Sequence, residues 1–175
     1  MRKPKRYLLD FEIDKLTKSI ENRISRDSFA TEVTFMTTGD LKQVTKRNGW
    51  LFDWKYELDQ NEREVYKLTI LGHPLVVQGL ISLAPEEDNV YMHLIESAPF
   101  NREKNKLYVG VPGNLVAYAC KLSFQRGCQG YVSFAAKTKL INHYVETLGA
   151  IRAGGQLMVI DTEAALKLIE KYFKE

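Results

Sequence analysis

The feature that most constrains the fold is one continuous stretch, residues 108–161, in which turns, helices and strands alternate. It begins with a glycine-containing turn, Gly110 to Asn114, and passes at once into an apolar helical face with spacings of three and four residues. Such a turn presents unpaired backbone N–H groups and the positive end of a helix dipole. The pattern therefore indicates a candidate phosphate site, and it equally fits an ordinary helix-entry turn.

The same stretch continues with a second helix between two strands. Gly127 ends the first helix, and a short apolar run over residues 131–134 predicts a strand. Thr138 is expected to cap the next helix, which ends at Gly149. A last strand is expected before residue 161.

Upstream of this stretch, the pattern predicts strands preceded by one amphipathic helix. That helix is predicted over residues 9–26, where Ile13, Leu16, Ile20 and Ile24 recur near helical spacing between charged residues. Runs of strand-favouring residues then predict strands over residues 32–37, 65–71, 75–83 and 90–97.

The element order predicts one α/β (α+β) domain built on a mixed central sheet that is flanked by helices. Three successive strands form an antiparallel meander, and strand–helix–strand units follow it. We expect a single domain over residues 1–175, because the chain is of ordinary single-domain length. Its parts are an N-terminal helical extension (1–31), a core (32–160) and a C-terminal helix (161–175) capped by Asp161 or Thr162.

Composition argues against several classes of function. A net charge of +3 is too small to indicate nucleic-acid binding, and the 45% hydrophobic content supports a packed core. The apolar runs fall short of the roughly 18 residues of a membrane span. Cys120 and Cys128 fit no zinc or redox spacing, and the three histidines lack ligand spacing, so no metal is expected. Two thiols without a recognisable export signal favour the cytoplasm.

These residues, in this order, resemble the GNAT superfamily of acyl-coenzyme A-dependent N-acyltransferases over roughly residues 32–160. The family's acyl-CoA loop and the helix that follows it match at Gly110, Leu115, Val116 and Ala119. Leu107 stands where the family has Gln or Arg, and Pro112 stands where it has a second Gly or Ala.

A second pattern of the family lies in the late helix. Tyr144 falls on the family's tyrosine, and residues 148–150 match its closing Gly-Phe region. Lys137 replaces an asparagine of the family pattern, and His143 replaces a phenylalanine. The two patterns in sequence, after an antiparallel meander, imply the GNAT fold.

The resemblance also implies an activity, the direct transfer of an acetyl group from acetyl-CoA to a primary amine of an unidentified small molecule or protein. The implied CoA-binding residues are Leu94, Ile95, Tyr108, Val109, Gly110, Val111, Gly113, Asn114, Leu115 and Lys137. Tyr144 is expected to protonate or hydrogen-bond to the departing thiolate, as the family tyrosine does. Glu96 is expected to take the proton of the amine. A homodimer through the N-terminal helix is an open alternative to a monomer.

Each functional interpretation has a structural alternative. Tyr144 shares a helix face with apolar residues and fits a core position, and Glu96 fits a solvated charge at a strand end. Arg102, Lys104 and Lys106 fit either a contact with the 3′-phosphate of CoA or a solvated loop. The whole chain also fits a catalytically inactive GNAT-fold protein that binds CoA or a protein partner.

Overall fold

The computed structural model describes residues 6–15, 19–102 and 104–173, in which a large mixed sheet is flanked by helices. The strands of this part are β1 (Ile20–Asn22), β2 (Ser28–Phe29), β3 (Thr31–Phe35), β4 (Glu64–Ile70), β5 (Gly79–Pro85), β6 (Val90–Ser97), β7 (Tyr108–Val109), β8 (Val132–Ala135), β9 (Ile151–Gly154) and β10 (Leu157–Ile160). Its α-helices are α1 (Trp54–Leu58), α2 (Val111–Gln125), α3 (Ile141–Leu148) and α4 (Thr162–Phe173).

The central sheet has the strand order β3–β4–β5–β6–β8–β10–β9 among the described residues. Strands β3 to β6 form an antiparallel meander, in which Tyr66 of β4 faces Phe35 on one side and Ile81 on the other. Strand β8 joins β6 in parallel, and β10 and β9 follow in antiparallel pairing. The predicted mixed sheet is confirmed, and β6 spans the predicted range 90–97.

Helix α2 covers one face of the meander, because its apolar residues find a complementary surface on β5 and β6. Leu115 and Val116 are fully buried there, which contributes about 1.5–3 kcal/mol for each side chain. At Gly79 of β5, a Cβ atom would lie 2.7 Å from the Val111 side chain, so the close approach of helix and strand requires glycine. Helix α4 packs on α2, and Asp161 caps α4 by accepting the Ala164 N–H at 2.9 Å, as predicted.

The helix predicted over residues 9–26 is wrong for the described part of that range. The first part is extended, and residues 20–22 form β1, which pairs with β2 and β7 in a small separate sheet. The physical reason is a two-residue period in this segment. Leu9 and Ile13 are buried and Phe11 contacts aromatic side chains, and alternation of this kind suits extended backbone.

Two smaller expectations are also wrong. Residues 75–78 are not strand, and Leu75 is 81% exposed in the turn that precedes β5. Thr138 does not cap α3, because its hydroxyl accepts a hydrogen bond from Gln156 and it begins a short 3-10 turn, Thr138–Leu140, ahead of the helix.

Parts of some predicted segments lie outside the described residues. These are residues 1–5 and 16–18 of the N-terminal extension, residue 103 of the charged loop and residues 174–175 of the C-terminal helix. In the part of the chain that the structure does describe, no helix is long and apolar enough to cross a membrane.

Candidate functional site

The candidate site is an opening in the sheet between β6 and β8. The two parallel strands pair only at Val90–Val132 and Tyr91–Ser133. Beyond these pairs they diverge, so the end of β6 leaves its neighbour strand. Strand β6 also contains a β-bulge. Ser82 of β5 faces Leu94 and Leu83 faces Met92, so His93 has no partner residue on β5.

The bulge at His93 also changes which way the side chains of β6 point. Strict alternation places His93 and Glu96 on opposite faces of the sheet, and it does not extend across an inserted residue. Glu96 contacts the loop before α1 and α1 itself, and His93 lies near Arg63, which pairs with Glu57 of α1.

Helix α2 begins beside this opening, at the turn predicted to bind phosphate. Gly110 is its N-cap with φ of 96°, a conformation that glycine adopts without strain. The Gly110 N–H donates to a carboxylate oxygen of Asp14 at 3.0 Å. The turn therefore binds an anionic oxygen, which comes from the chain's own N-terminal segment.

That segment, residues 9–14, lies in the opening, and we call it the strap. Its Leu9 forms a parallel bridge with Ala136, the residue after β8. The Leu9 N–H donates to the Ala135 carbonyl at 2.8 Å, and the Leu9 carbonyl accepts the Lys137 N–H at 3.0 Å. The strap thus pairs with the edge of β8 that faces β6.

Tyr144, the predicted proton donor, is fully buried on α3 against the strap. Its phenol donates to the Phe11 carbonyl at 2.6 Å, and its ring stacks on the Phe11 ring at a centroid distance of 4.7 Å. Burial, with the nearby carboxylates of Asp10 and Glu12, raises the pKa of Tyr144. The phenol consequently stays protonated and remains a hydrogen-bond donor.

Glu96, the predicted base, is buried at the end of β6 rather than solvated. One carboxylate oxygen accepts the Leu51 N–H at 2.7 Å, and the other accepts the Trp54 indole N–H at 2.8 Å. The Arg102 guanidinium lies 3.9 Å away. Burial raises the pKa of Glu96 despite these donors.

A cavity of about 250 Å³ lies between Glu96, the strap and the start of α2. It is lined by Asp10, Phe11, Glu12, Leu51, Phe52, Ile95, Glu96, Ser97, Asn101, Arg102, Lys106 and Pro112. Charged side chains of both signs line it together with apolar ones, so it can hold a ligand that carries both polar and apolar groups. The cavity is the part of the opening that the strap leaves free.

Comparison with known proteins bears on the fold of this chain. Neither a protein-family model nor a curated protein matches the sequence. Solved structures do match: a chimera of Vibrio cholerae spermidine N-acetyltransferase SpeG and hSSAT, at 18% identity and TM-score 0.54, covers 78% of this chain and 98% of that chain. Vibrio cholerae SpeG with CoA and spermine, at 15% identity and TM-score 0.51, covers the same shares. This chain has the GNAT acetyltransferase fold.

Within the GNAT fold, the other predicted CoA-binding residues lie at four places. Val111, Gly113, Asn114 and Leu115 are buried in the first turns of α2, and Leu94 and Ile95 are buried on β6. Tyr108 and Val109 form β7, which pairs with β1. The Lys137 ammonium lies 2.7 Å from Asp10 of the strap, with both side chains nearly half exposed.

Gly113 is covered by a residue of the C-terminal helix. A Cβ atom at Gly113 would lie 1.8 Å from the Tyr172 hydroxyl oxygen, so the tyrosine ring occupies the space that the missing side chain leaves. The same hydroxyl donates to the Lys15 carbonyl at 3.3 Å. Tyr172 therefore covers the first turn of α2 at Gly113 and links it to Lys15, the residue after the strap.

The loop that carries Arg102, Lys104 and Lys106 also contacts the strap. The Lys106 ammonium lies 2.9 Å from Asp14, and Arg102 donates to the Gly49 carbonyl. Lys104 is exposed. Two of the three predicted phosphate contacts are thus engaged by protein groups, and one of these groups belongs to the strap.

Sequence reasoning missed two residues of this site. Asp14 falls in the range predicted as a helix. His143 was identified only as the replacement of a family phenylalanine, whereas its Nε2 accepts the Ile13 N–H at 2.9 Å. A signal for the strap was present in the alternation of Leu9, Phe11 and Ile13 with acidic residues, a two-residue period. The described residues bring together no group of three metal-ligating side chains.

Proposed function

We propose that this protein transfers an acyl group, with acetyl-CoA as the donor, directly to a primary amine. The observation that carries the proposal is the opening between β6 and β8, which leads from the N-terminal turn of α2 to the buried phenol of Tyr144. The fold supports this function by analogy, and the arrangement of the site is the more specific argument. The acceptor and the cellular location stay predictions.

The residues of the site fit the binding of an anionic thioester. The Gly110 N–H already donates to a carboxylate oxygen, and a diphosphate at a helix N-terminus would accept a hydrogen bond in the same way. The backbone at Leu94 to Glu96, where β6 has left β8, has room to pair with an extended amide-containing arm. For this, the strap must leave the opening.

Two side chains are proposed to handle the protons of the transfer. The amine nitrogen bonds to the thioester carbonyl carbon, and the carbon–sulfur bond breaks. Tyr144, a phenol that is protonated at neutral pH, donates its proton to the departing sulfur. Glu96, with its raised pKa, receives the proton of the amine directly or through water, and holding both groups in place lowers the barrier.

A second candidate function is a binding module that transfers nothing. The observation that favours it is the strap, which lies where the donor would bind and holds both the Gly110 N–H and the Tyr144 phenol. In this alternative the strap is a permanent part of the core, and the protein acts through its surface.

The two candidates are separated by measuring thiol release from acetyl-CoA with a panel of amines that includes polyamines, because spermine is bound in one structural neighbour. Tyr144→Phe is expected to lower amine-dependent release by about 10²-fold. Tyr131→Phe is the matched control, since Tyr131 is 39% exposed and outside the opening, and it should retain the wild-type rate. Binding of coenzyme A without release for any amine would favour the binding module.

The choice between a monomer and a homodimer stays open. One structural neighbour is described as dodecameric, so the measurement has to distinguish a dimer from larger assemblies. Light scattering coupled to size-exclusion chromatography gives the mass directly.

A further inference from the structure

The strap engages three of the groups that acyl-CoA binding is proposed to use. It holds the Gly110 N–H through Asp14, the Tyr144 phenol through the Phe11 carbonyl, and the edge of β8 through Leu9. These contacts come from three elements of the fold, α2, α3 and β8. A ligand that extends from the start of α2 into the opening cannot bind while they persist.

The chemistry of the strap matches the ligand that it excludes. Its backbone is an extended chain of amides, and Leu9 pairs with β8 as an added strand would. One end carries the Asp14 carboxylate, which takes a helix-terminal N–H and lies 2.9 Å from the Lys106 ammonium. An anion at one end and amides along its length are also the features of a diphosphate linked to a pantetheine arm.

We propose that residues 9–14 form an autoinhibitory strap that competes with acyl-CoA for the opening between β6 and β8. This inference rests on the proposed function and adds regulation to the same site. In the closed state the strap holds the site shut, and in the open state the Gly110 N–H, the Tyr144 phenol and the edge of β8 become free for the donor.

The backbone pairing and the ion pair of the strap suit a segment that can be displaced, and the burial of Leu9 and Ile13 is what opening costs. Its pairing with β8 is a single bridge with two backbone hydrogen bonds, rather than a full strand ladder. Its ion pair with Lys137 is nearly half exposed, and such pairs contribute little to stability. Local opening of weakly paired segments costs less than global unfolding.

Competition reduces the apparent affinity for the donor. The dissociation constant that is measured equals the intrinsic constant divided by the fraction of molecules in the open state. A variant that weakens the strap therefore binds the donor more tightly, while its unliganded form becomes less stable. A residue with a purely structural role does not produce these two opposite changes together.

The test uses the full chain, with coenzyme A as the probe, in wild type, Asp14→Ala and the matched control Asp27→Ala. Asp27 is an exposed acidic residue outside the strap. Calorimetric titration is expected to show roughly tenfold tighter binding for Asp14→Ala, because one charge-assisted hydrogen bond of the strap is lost. The melting temperature of unliganded Asp14→Ala should fall, and Asp27→Ala should change neither quantity.

Amide hydrogen exchange gives the second readout. Coenzyme A should speed exchange at the Leu9 and Ile13 N–H groups, which lose their acceptors on Ala135 and His143, while β4 and β5 stay protected. Binding that leaves both amides protected, with no gain in Asp14→Ala, would overturn the strap and leave the proposed function standing. No binding to wild type, Asp14→Ala or the double variant Phe11→Ala/Asp14→Ala would overturn both.

Discussion

Asp14 accepts the backbone N–H of Gly110 at 3.0 Å, across 96 positions of sequence. The contact joins the strap to the N-cap residue of α2, and it gives an acceptor to a backbone N–H that has no partner within the helix. A carboxylate in this position also interacts favourably with the helix dipole.

The contact of Gly113 with Tyr172 gives a first stability prediction. Gly113→Ala would place a Cβ atom 1.8 Å from the Tyr172 hydroxyl, so the ring must swing away from α2 and give up its packing. We expect a loss of about 1–3 kcal/mol in the free energy of unfolding. Chemical denaturation measures it, with Gly39→Ala as the control, because its Cβ would meet only Thr37 at an ordinary 3.5 Å.

A double variant tests the cause of that loss. If the ring causes the strain, Gly113→Ala should cost much less in a Tyr172→Ala background, and the double-mutant cycle should show coupling. Additive effects would mean that the strain of Gly113→Ala lies elsewhere.

The ion pair of Glu57 and Arg63 gives a second prediction. Both side chains are 0% exposed, and the charged atoms lie 2.8 Å apart. Arg63→Met leaves a buried carboxylate without its cation, which should cost about 3–5 kcal/mol of stability. The exposed pair of Lys55 and Asp59 supplies the control, and Lys55→Met should change stability by about 0.5 kcal/mol or less. Equal losses in the two variants would contradict this interpretation.

His93 predicts a pH dependence of stability. Burial, with a contribution from Arg63, lowers the pKa of His93 to about 4, whereas an unfolded histidine titrates near pH 6.5. Between pH 6.5 and about 4 the unfolded chain therefore binds a proton that the folded chain does not. Stability should be complete above this window and fall by about 1–2 kcal/mol across it, since the ring is partly exposed.

Variants isolate the contribution of this histidine. His93→Gln should remove that part of the pH dependence, as measured by urea denaturation at a series of pH values. His73→Gln, at an exposed position, should leave the wild-type profile unchanged. A profile that is the same in wild type and His93→Gln would show that other groups cause the loss in acid.

Glu96 provides a further prediction, because donors surround both of its oxygens. In Glu96→Gln the amide NH₂ must face either the Leu51 N–H or the Trp54 indole N–H, so one donor loses its acceptor. We expect a loss of about 1–3 kcal/mol. Exposed Glu87→Gln is the matched control and should be neutral in the same thermal denaturation. A neutral Glu96→Gln would show that the two donors do not need the carboxylate.

Where the signal was local, the sequence predicted the fold well. Strand β6 was predicted over the residues that form it, because turn residues flank a run of strand-favouring residues on both sides. Helix α4 was predicted with its cap at Asp161 or Thr162 for the same kind of reason, and Asp161 is the residue that caps it. The resemblance to the GNAT family likewise depended on residues within short patterns, and comparison with solved structures confirms the fold.

The strap shows where local reasoning failed. Two periodicities overlap in residues 9–26, a helical one from Ile13 onwards and a two-residue one before it. The helical pattern is longer and was preferred. The described part of the segment is extended because Ala135, His143 and Tyr144 form hydrogen bonds with its extended backbone. All three residues lie over 120 positions away in the sequence.

By itself, the sequence determined the order of strands β3 to β6 and β8 and of helices α2 to α4, and the presence of a glycine turn, a late tyrosine and an acidic strand end. These depend on propensity and spacing within a few residues. Only the tertiary structure decided that the opening between β6 and β8 holds residues 9–14, and that Asp14 is the anion at the turn. A long-range contact of this kind depends on which surfaces meet after folding, and the sequence around each partner contains no pattern that identifies the other partner.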